Sequence, residues 1–104
     1  MYTVIYQLYR KDGMSREDFA RHWTETHAPI AAKLPYVKSY TIYPVTGSAD
    51  AIEPEVDGFA LLEFESEEDF QKAAESPEMA ESGEDAALFA RHFGVYMVDA
   101  HRVI

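Results

Sequence analysis

HWTETHAPIAAKLP, residues 22–35, decides how the chain is divided: it is helical in pattern and stands between two runs that read as strands. Phe19, Trp23, Ile30 and Leu34 recur at offsets of four, seven and four, which at about 100° per residue keeps them on one stripe. Ser15 supplies the N-cap, with Asp18 three residues on in a variant of the capping box and Glu17 at the positive end of the helix dipole. Pro35 ends the helix. Pro29 lies inside it, removes a backbone donor and pushes Ala28 out of the helical region. The carbonyls around Thr24 to His27 lose helical partners, and the helix is expected to kink or restart there, freeing space beside His27.

Outward from this segment the remaining elements follow. TVIYQLY (3–9) is rich in β-branched and aromatic residues and reads as a strand ended by RKDG; VKSYTIYPV (37–45) is a second strand, GSADAIEPEVD (47–57) a polar loop, and GFALLEFE (58–65) a third strand. Ser66 with Asp69 repeats the capping pattern and opens a helix through Phe70, Ala73 and Ala74, which Pro77 interrupts or restarts. A further helical stretch, about EDAALFARHF (84–93), precedes a last strand, GVYMVDAHRVI (94–104). The order is βαββαβ, an α+β ferredoxin-like arrangement in which four antiparallel strands carry the helices on one face. Residues 1–104 form a single domain.

Both faces of the sheet read as largely apolar, with Tyr2, Val4, Tyr6 and Leu8 opposite Thr3, Ile5, Gln7 and Tyr9, and Phe59 and Leu61 opposite Ala60, Leu62 and Phe64. The helices cover only one face. The other would expose more apolar surface than soluble monomers usually tolerate, so a homodimer with its two sheets face to face is expected.

Composition narrows the partners. Nineteen acidic against nine basic residues give a formal charge of −10, which repels phosphate backbones and anionic lipids, so neither nucleic acid nor a membrane is an expected partner. The acids concentrate in residues 50–85, read as a solvated face. Cysteine is absent, which excludes thiolate metal sites and disulfides. No signal peptide and no apolar run approaching the roughly 20 residues of a membrane span is evident, and a cytoplasmic location is expected.

Trp23 and His27 are four apart and share a helix face, with Phe19 a turn earlier and Ile30 almost a turn later, so His27 looks inward. A buried imidazole needs a hydrogen-bond partner, because leaving it unpaired costs roughly 1–3 kcal/mol. The plainest partner is a backbone carbonyl in an ordinary core. In a pocket, the same group would exchange protons near neutral pH as a general acid or base. Tyr40, or Tyr6, would donate to a developing oxyanion, although period alone does not fix which sheet face either occupies. His22 lies five positions before His27, about 140° around an unbroken helix, so the two do not chelate one metal. HWTETH is not HExxH, His92 and His101 fall near a helix end and in the last strand, and no metal site, glycine-rich phosphate loop or GxSxG elbow is found.

RKDGMSREDF (10–19), Trp23, His27, Pro29, the Leu34-Pro35 pair and Tyr40 together resemble the EthD family of the dimeric α+β barrel superfamily. FALLEFESEEDF, Ser76-Pro77-Glu78, and Asp85 followed by Phe89 also fit, over nearly the whole chain; W-x-x-x-H-x-P is the specific part. Ala90 departs from the pattern, so no role is carried onto residues 85–90. The resemblance implies a ferredoxin-like protomer, a dimeric α+β barrel, and a pocket between sheet and helices that needs no cofactor. His27 and Tyr40 fall where related isomerases of muconolactone type hold their acting histidine and tyrosine. Trp23, Tyr6, Phe19 and Ile30 are then the expected substrate-binding residues, around a small, mostly apolar molecule. Other relatives dehydrate or cyclise polyketides, or oxidise aromatic rings without metal or flavin, and the family takes its name from ether degradation. Three readings follow: proton-transfer chemistry on a carbonyl compound or lactone, a cofactor-free monooxygenase or accessory oxidoreductase, and a non-catalytic ligand carrier.

Overall fold

In a computed structural model describing residues 1–50 and 52–104, the chain runs β1 (Tyr2–Arg10), α1 (Arg16–His22), a π-helical segment (Trp23–His27), α2 (Ala28–Ala31), β2 (Val37–Pro44), β3 (Gly58–Phe64), α3 (Glu67–Ala74), α4 (Pro77–Phe89) and β4 (Ala90–Val98). The polar loop expected over 47–57 is described except at position 51, which lies outside the described residues. The four strands form one antiparallel sheet in the order β2-β3-β1-β4, the ferredoxin-like arrangement.

Local chemistry places the helices. Ser15 Oγ accepts from the Asp18 amide at 3.0 Å, Ser66 Oγ from Asp69 at 3.2 Å, and Ser76 Oγ from Met79 at 3.1 Å, each satisfying a donor that a helix start leaves open. Pro77 takes the first turn of α4, where its missing donor is not needed, so it restarts a helix there. Helix α4 stops at Phe89, and residues 90–93, expected as helix, are strand. His92 pairs with Tyr9 and Phe93 with Leu8, and these pairings override the local helical pattern. His92 is therefore a strand residue, and His101 lies beyond β4 without regular structure.

The register fixes which side chains meet. Tyr6 stands opposite Ala60 and Val95, and Tyr40 opposite Leu62, so both tyrosines share the helix-facing side with the buried Val4, Leu8, Ala60, Leu62 and Phe64. Trp23, Phe19, Leu34, Ala73 and Phe89 close the core from the helices. Gly58 is what lets Trp23 settle there: a Cβ at that position would lie 2.1 Å from the indole ring.

The other sheet face is more mixed than the alternation suggested. Its middle row is Thr41, Leu61, Ile5 and Tyr96, flanked by Tyr43, Phe59, Gln7 and Gly94 on one side and by Ser39, Glu63, Thr3 and Val98 on the other. The acid-rich segment is likewise not uniformly solvated. Asp57 is buried, accepting from the Arg10 amide at 2.8 Å and from Arg10 Nη1 at 3.0 Å, and it ties the start of β3 to the end of β1. Asp85 is buried as well.

Candidate active site

Pro29 shapes the site from a distance. Having no amide hydrogen, it offers nothing to the carbonyl one α-helical turn earlier, and the helix widens: the Ala28 amide reaches back five residues to the Trp23 carbonyl. The expected break at Pro29 is therefore a π turn, with the helical path continuous through it. One extra residue per turn moves the buried stripe from Trp23 + 7 to Trp23 + 8. Ala31 is buried and Ile30 is not, while Phe19, Trp23, His27, Ala31 and Leu34 face inward.

The same widening overturns the separation expected of His22 and His27. Five residues make about one turn of a π segment, so the two imidazoles lie on one side and meet the same carboxylate. His27 Nδ1 is 2.8 Å from Asp85 Oδ2, and His22 Nε2 is 3.1 Å from each Asp85 oxygen. The partner of the buried histidine is thus a carboxylate from α4, in place of a backbone carbonyl. Phe89 lies against both rings, with centroids 4.8 Å from His22 and 5.0 Å from His27, both in tilted geometry. The trio is hydrogen-bonded, and among the described residues no group of three His, Asp or Glu is placed to hold a metal ion.

Beside His27 lies a cavity of about 140 Å³ between the sheet and the helices. Its wall includes Tyr6, Leu8, Trp23, Leu34, Tyr40 and Met79, with Ser82 from α4 and Phe93 and Val95 from β4. Phe93 and Val95 are partly exposed, which puts the open side of the cavity at the β4 edge. A space of this size accommodates a single ring, since a dry cavity of about 150 Å³ holds benzene. Among the described residues, no lysine or arginine lines it. Of the expected site residues, Trp23, His27, Tyr6 and Tyr40 converge on this cavity, whereas Phe19 and Ile30 do not border it. Phe19 is sealed behind Trp23 and Phe89, at centroid distances of 5.5 and 5.3 Å, and the π turn rotates Ile30 off the stripe in favour of Ala31.

Electrostatics sort the polar groups into roles. Burial lowers the His27 pKa below 6.5; the Asp85 carboxylate pulls it back up in part, and His22 opposes that pull. The ring is neutral at pH 7. Its Nδ1 hydrogen goes to Asp85, so Nε2 carries the lone pair. Among the described residues Nε2 finds no hydrogen-bond partner, and it is not sealed away either, because Arg16 Nη1 is the one buried side-chain polar atom among them without a partner. Burial pushes Tyr40 up to about 12, with the Trp23 indole N–H offsetting part of the rise and Tyr6 adding to it. Burial raises Tyr6 too. Both phenols therefore stay protonated and act as donors.

Asp85 and His22 were not identified as site residues from sequence. Asp85 stands in a run of acids with nothing but its offset of four from Phe89 to set it apart, and α-helical geometry, which this segment does not follow, turns His22 away from His27.

The EthD domain profile matches residues 11–92. In structure, the chain is similar to an EthD family protein from Bacillus halodurans C-125, with 24% identity over 97% of this chain and 100% of that one and a TM-score of 0.82. A dimeric ferredoxin-like protein of unknown function from Bacteroides fragilis NCTC 9343 is 13% identical over 95% of both chains, with a TM-score of 0.72. SnoaB, a cofactor-independent oxygenase from Streptomyces nogalater, is 10% identical over 99% of this chain and 95% of that one, with a TM-score of 0.70. With its fold, its helix histidine and a profile match across most of its length, this chain belongs to the EthD domain family.

Proposed function

We propose that the cavity is an active site for cofactor-independent proton transfer on a small, neutral, single-ring carbonyl compound or lactone. The observation that carries this reading is the neutral His27 ring, anchored at Nδ1 by Asp85 and presenting an unpartnered Nε2 at the wall of an apolar cavity. His27 Nε2 takes a proton from the carbon next to the carbonyl. Asp85 steadies the imidazolium that forms, and Tyr40 donates to the oxygen on which the enolate charge develops. Tyr6 stands as a second donor and Trp23 as a wall. With no cation in the lining and Asp85 just behind His27, an anionic substrate would be desolvated without a counter-ion, so the guest enters neutral. Where a double bond is conjugated with the enolate, returning the proton from His27 at the γ-carbon isomerises the substrate; where a hydroxyl stands on the β-carbon, its departure as water with that proton dehydrates it, and attack of the enolate carbon on a second carbonyl of the same molecule closes a ring.

The test is solvent-deuterium incorporation at the α-carbon of cyclohexanone and δ-valerolactone, followed by NMR. Wild-type protein accelerates the exchange and His27→Gln loses roughly 10²- to 10⁴-fold of it. Equal exchange in both proteins would reject the assignment.

The structural likeness to SnoaB supports a second reading, in which the same base generates a carbanion that meets dioxygen. Oxygen uptake dependent on an added phenol or ether compound separates it from the first, and binding without chemical change marks a ligand carrier. We also propose a homodimer, on the strength of dimeric ferredoxin-like neighbours and the apolar middle row of the open sheet face, and a cytoplasmic location. No described helix is long and apolar enough to cross a membrane.

A further inference from the structure

His22 is a half-buried group that the proton transfer just described does not use, yet both of its side-chain hydrogen bonds go to the carboxylate that anchors the base. Its side chain is one-quarter exposed, whereas His27 and Asp85 are nearly closed off, so His22 is the member of the trio that meets solvent. Asp85 Oδ1 is bonded to His22 alone, and Oδ2 is shared between the two rings. One negative charge thus serves two imidazoles.

We propose that His22 is a positioning residue that keeps His27 in its neutral, proton-accepting form by competing for Asp85; the inference rests on His27 being the base. Two consequences follow from the geometry. The His22 contacts hold both carboxylate oxygens, which fixes the carboxylate so that Oδ2 meets His27 Nδ1 and the Nε2 lone pair stays toward the cavity. In addition, positive charge at the His22 ring would lie against the shared carboxylate and oppose a proton on His27. The groups facing His22 are Asp85 and Phe89 from α4 and His27 across the carboxylate; on its own helix, Asp18 is bonded to Arg21 at 2.9 Å. Among these, Asp85 and His27 are the ones that couple to it. The π turn is what permits the arrangement, because five α-helical residues would have sent His22 to another face.

The experiment is an NMR pH titration of the imidazole nitrogens in the full-length, ligand-free protein, wild type against His22→Gln. Glutamine keeps a donor for Asp85 and takes up no proton. In the wild type, the His27 curve is expected to depart from a single-site shape, with a second inflection. In His22→Gln that inflection disappears and the His27 midpoint moves to higher pH. An identical His27 curve in the two proteins overturns the proposal. If the variant does not fold, the wild-type curves still decide: two independent single-site titrations overturn it, and mutually coupled ones support it. The readout requires no substrate. Coupling without His27-dependent deuterium exchange would leave the positioning intact and remove the catalytic reading, so the two fail separately.

Discussion

At the scale of the residue, the proposed chemistry rests on a histidine whose two nitrogens stand in different surroundings. Asp85 takes the Nδ1 hydrogen and burial keeps the ring neutral, so Nε2 remains basic in a cavity without competing cations. Replacing Asp85 by asparagine removes the charge and leaves one oxygen for two imidazoles. We expect the exchange rate to fall roughly 10²- to 10⁴-fold in Asp85→Asn with little change in fold, measured by NMR exchange and circular dichroism. Tyr40→Phe deletes a donor to the enolate oxygen and should cost about 10²- to 10³-fold. Acid affects both rate and stability through His27. Its folded pKa lies below 6.5, so the proposed base is unprotonated at neutral pH, and the exchange rate is expected to fall as the pH drops through that lowered value. For stability, the unfolded chain takes up a proton near 6.5 that the folded chain resists. The stabilisation is full above 6.5 and is lost as the pH falls through the folded value. The stability of wild type relative to His27→Gln in thermal melts should therefore be constant above 6.5 and fall as the pH drops through the lowered folded value; a difference independent of pH would contradict the depressed pKa.

At the scale of the element, the decisive feature is the π turn over Trp23–His27. Strand runs, the serine caps and the proline stops were legible in the sequence because each rests on local chemistry: β-branched residues for strands, a hydroxyl for open amides, a ring for a missing donor. Pro29 was legible as a disturbance, and its consequence was not. A phase of 100° per residue predicts Ile30 on the stripe and His22 off it, and one inserted residue reverses both assignments. Asp85 escaped for a different reason: a lone acid in an acid-rich run looks solvated until the partner helix that buries it is known. Residues 90–93 escaped because strand pairing with β1 acts over some eighty residues of chain separation. Gly58 makes a test at this scale. Its Cβ would collide with the Trp23 ring, and that ring is both core and cavity wall. Gly58→Ala should destabilise the fold by about 1–3 kcal/mol in denaturant unfolding and weaken binding of cyclohexanone; an unchanged midpoint would mean that Trp23 is not held where the structure puts it.

At the scale of the whole molecule, one sheet serves two purposes. Its helix-facing side supplies Tyr6 and Tyr40 to the cavity, and its open side presents the row Thr41, Leu61, Ile5 and Tyr96. The order βαββαβ was readable because the strand and helix patterns alternate clearly, whereas the facing of the tyrosines became definite only with the register. A homodimer pairing the open faces predicts twice the chain mass in light scattering, and Leu61→Lys, which leaves the helix side untouched, should give the mass of one chain. A wild-type protein at the mass of one chain would contradict the dimer. All of these inferences meet in whether a guest reaches the base. The direct measurement is the imidazole nitrogen spectrum of His27 at pH 7 during titration with cyclohexanone. We predict a neutral ring with hydrogen on Nδ1 and a saturable shift centred on Nε2. A ring protonated at Nε2, or a His27 spectrum indifferent to cyclohexanone at saturation of the protein, would contradict the account.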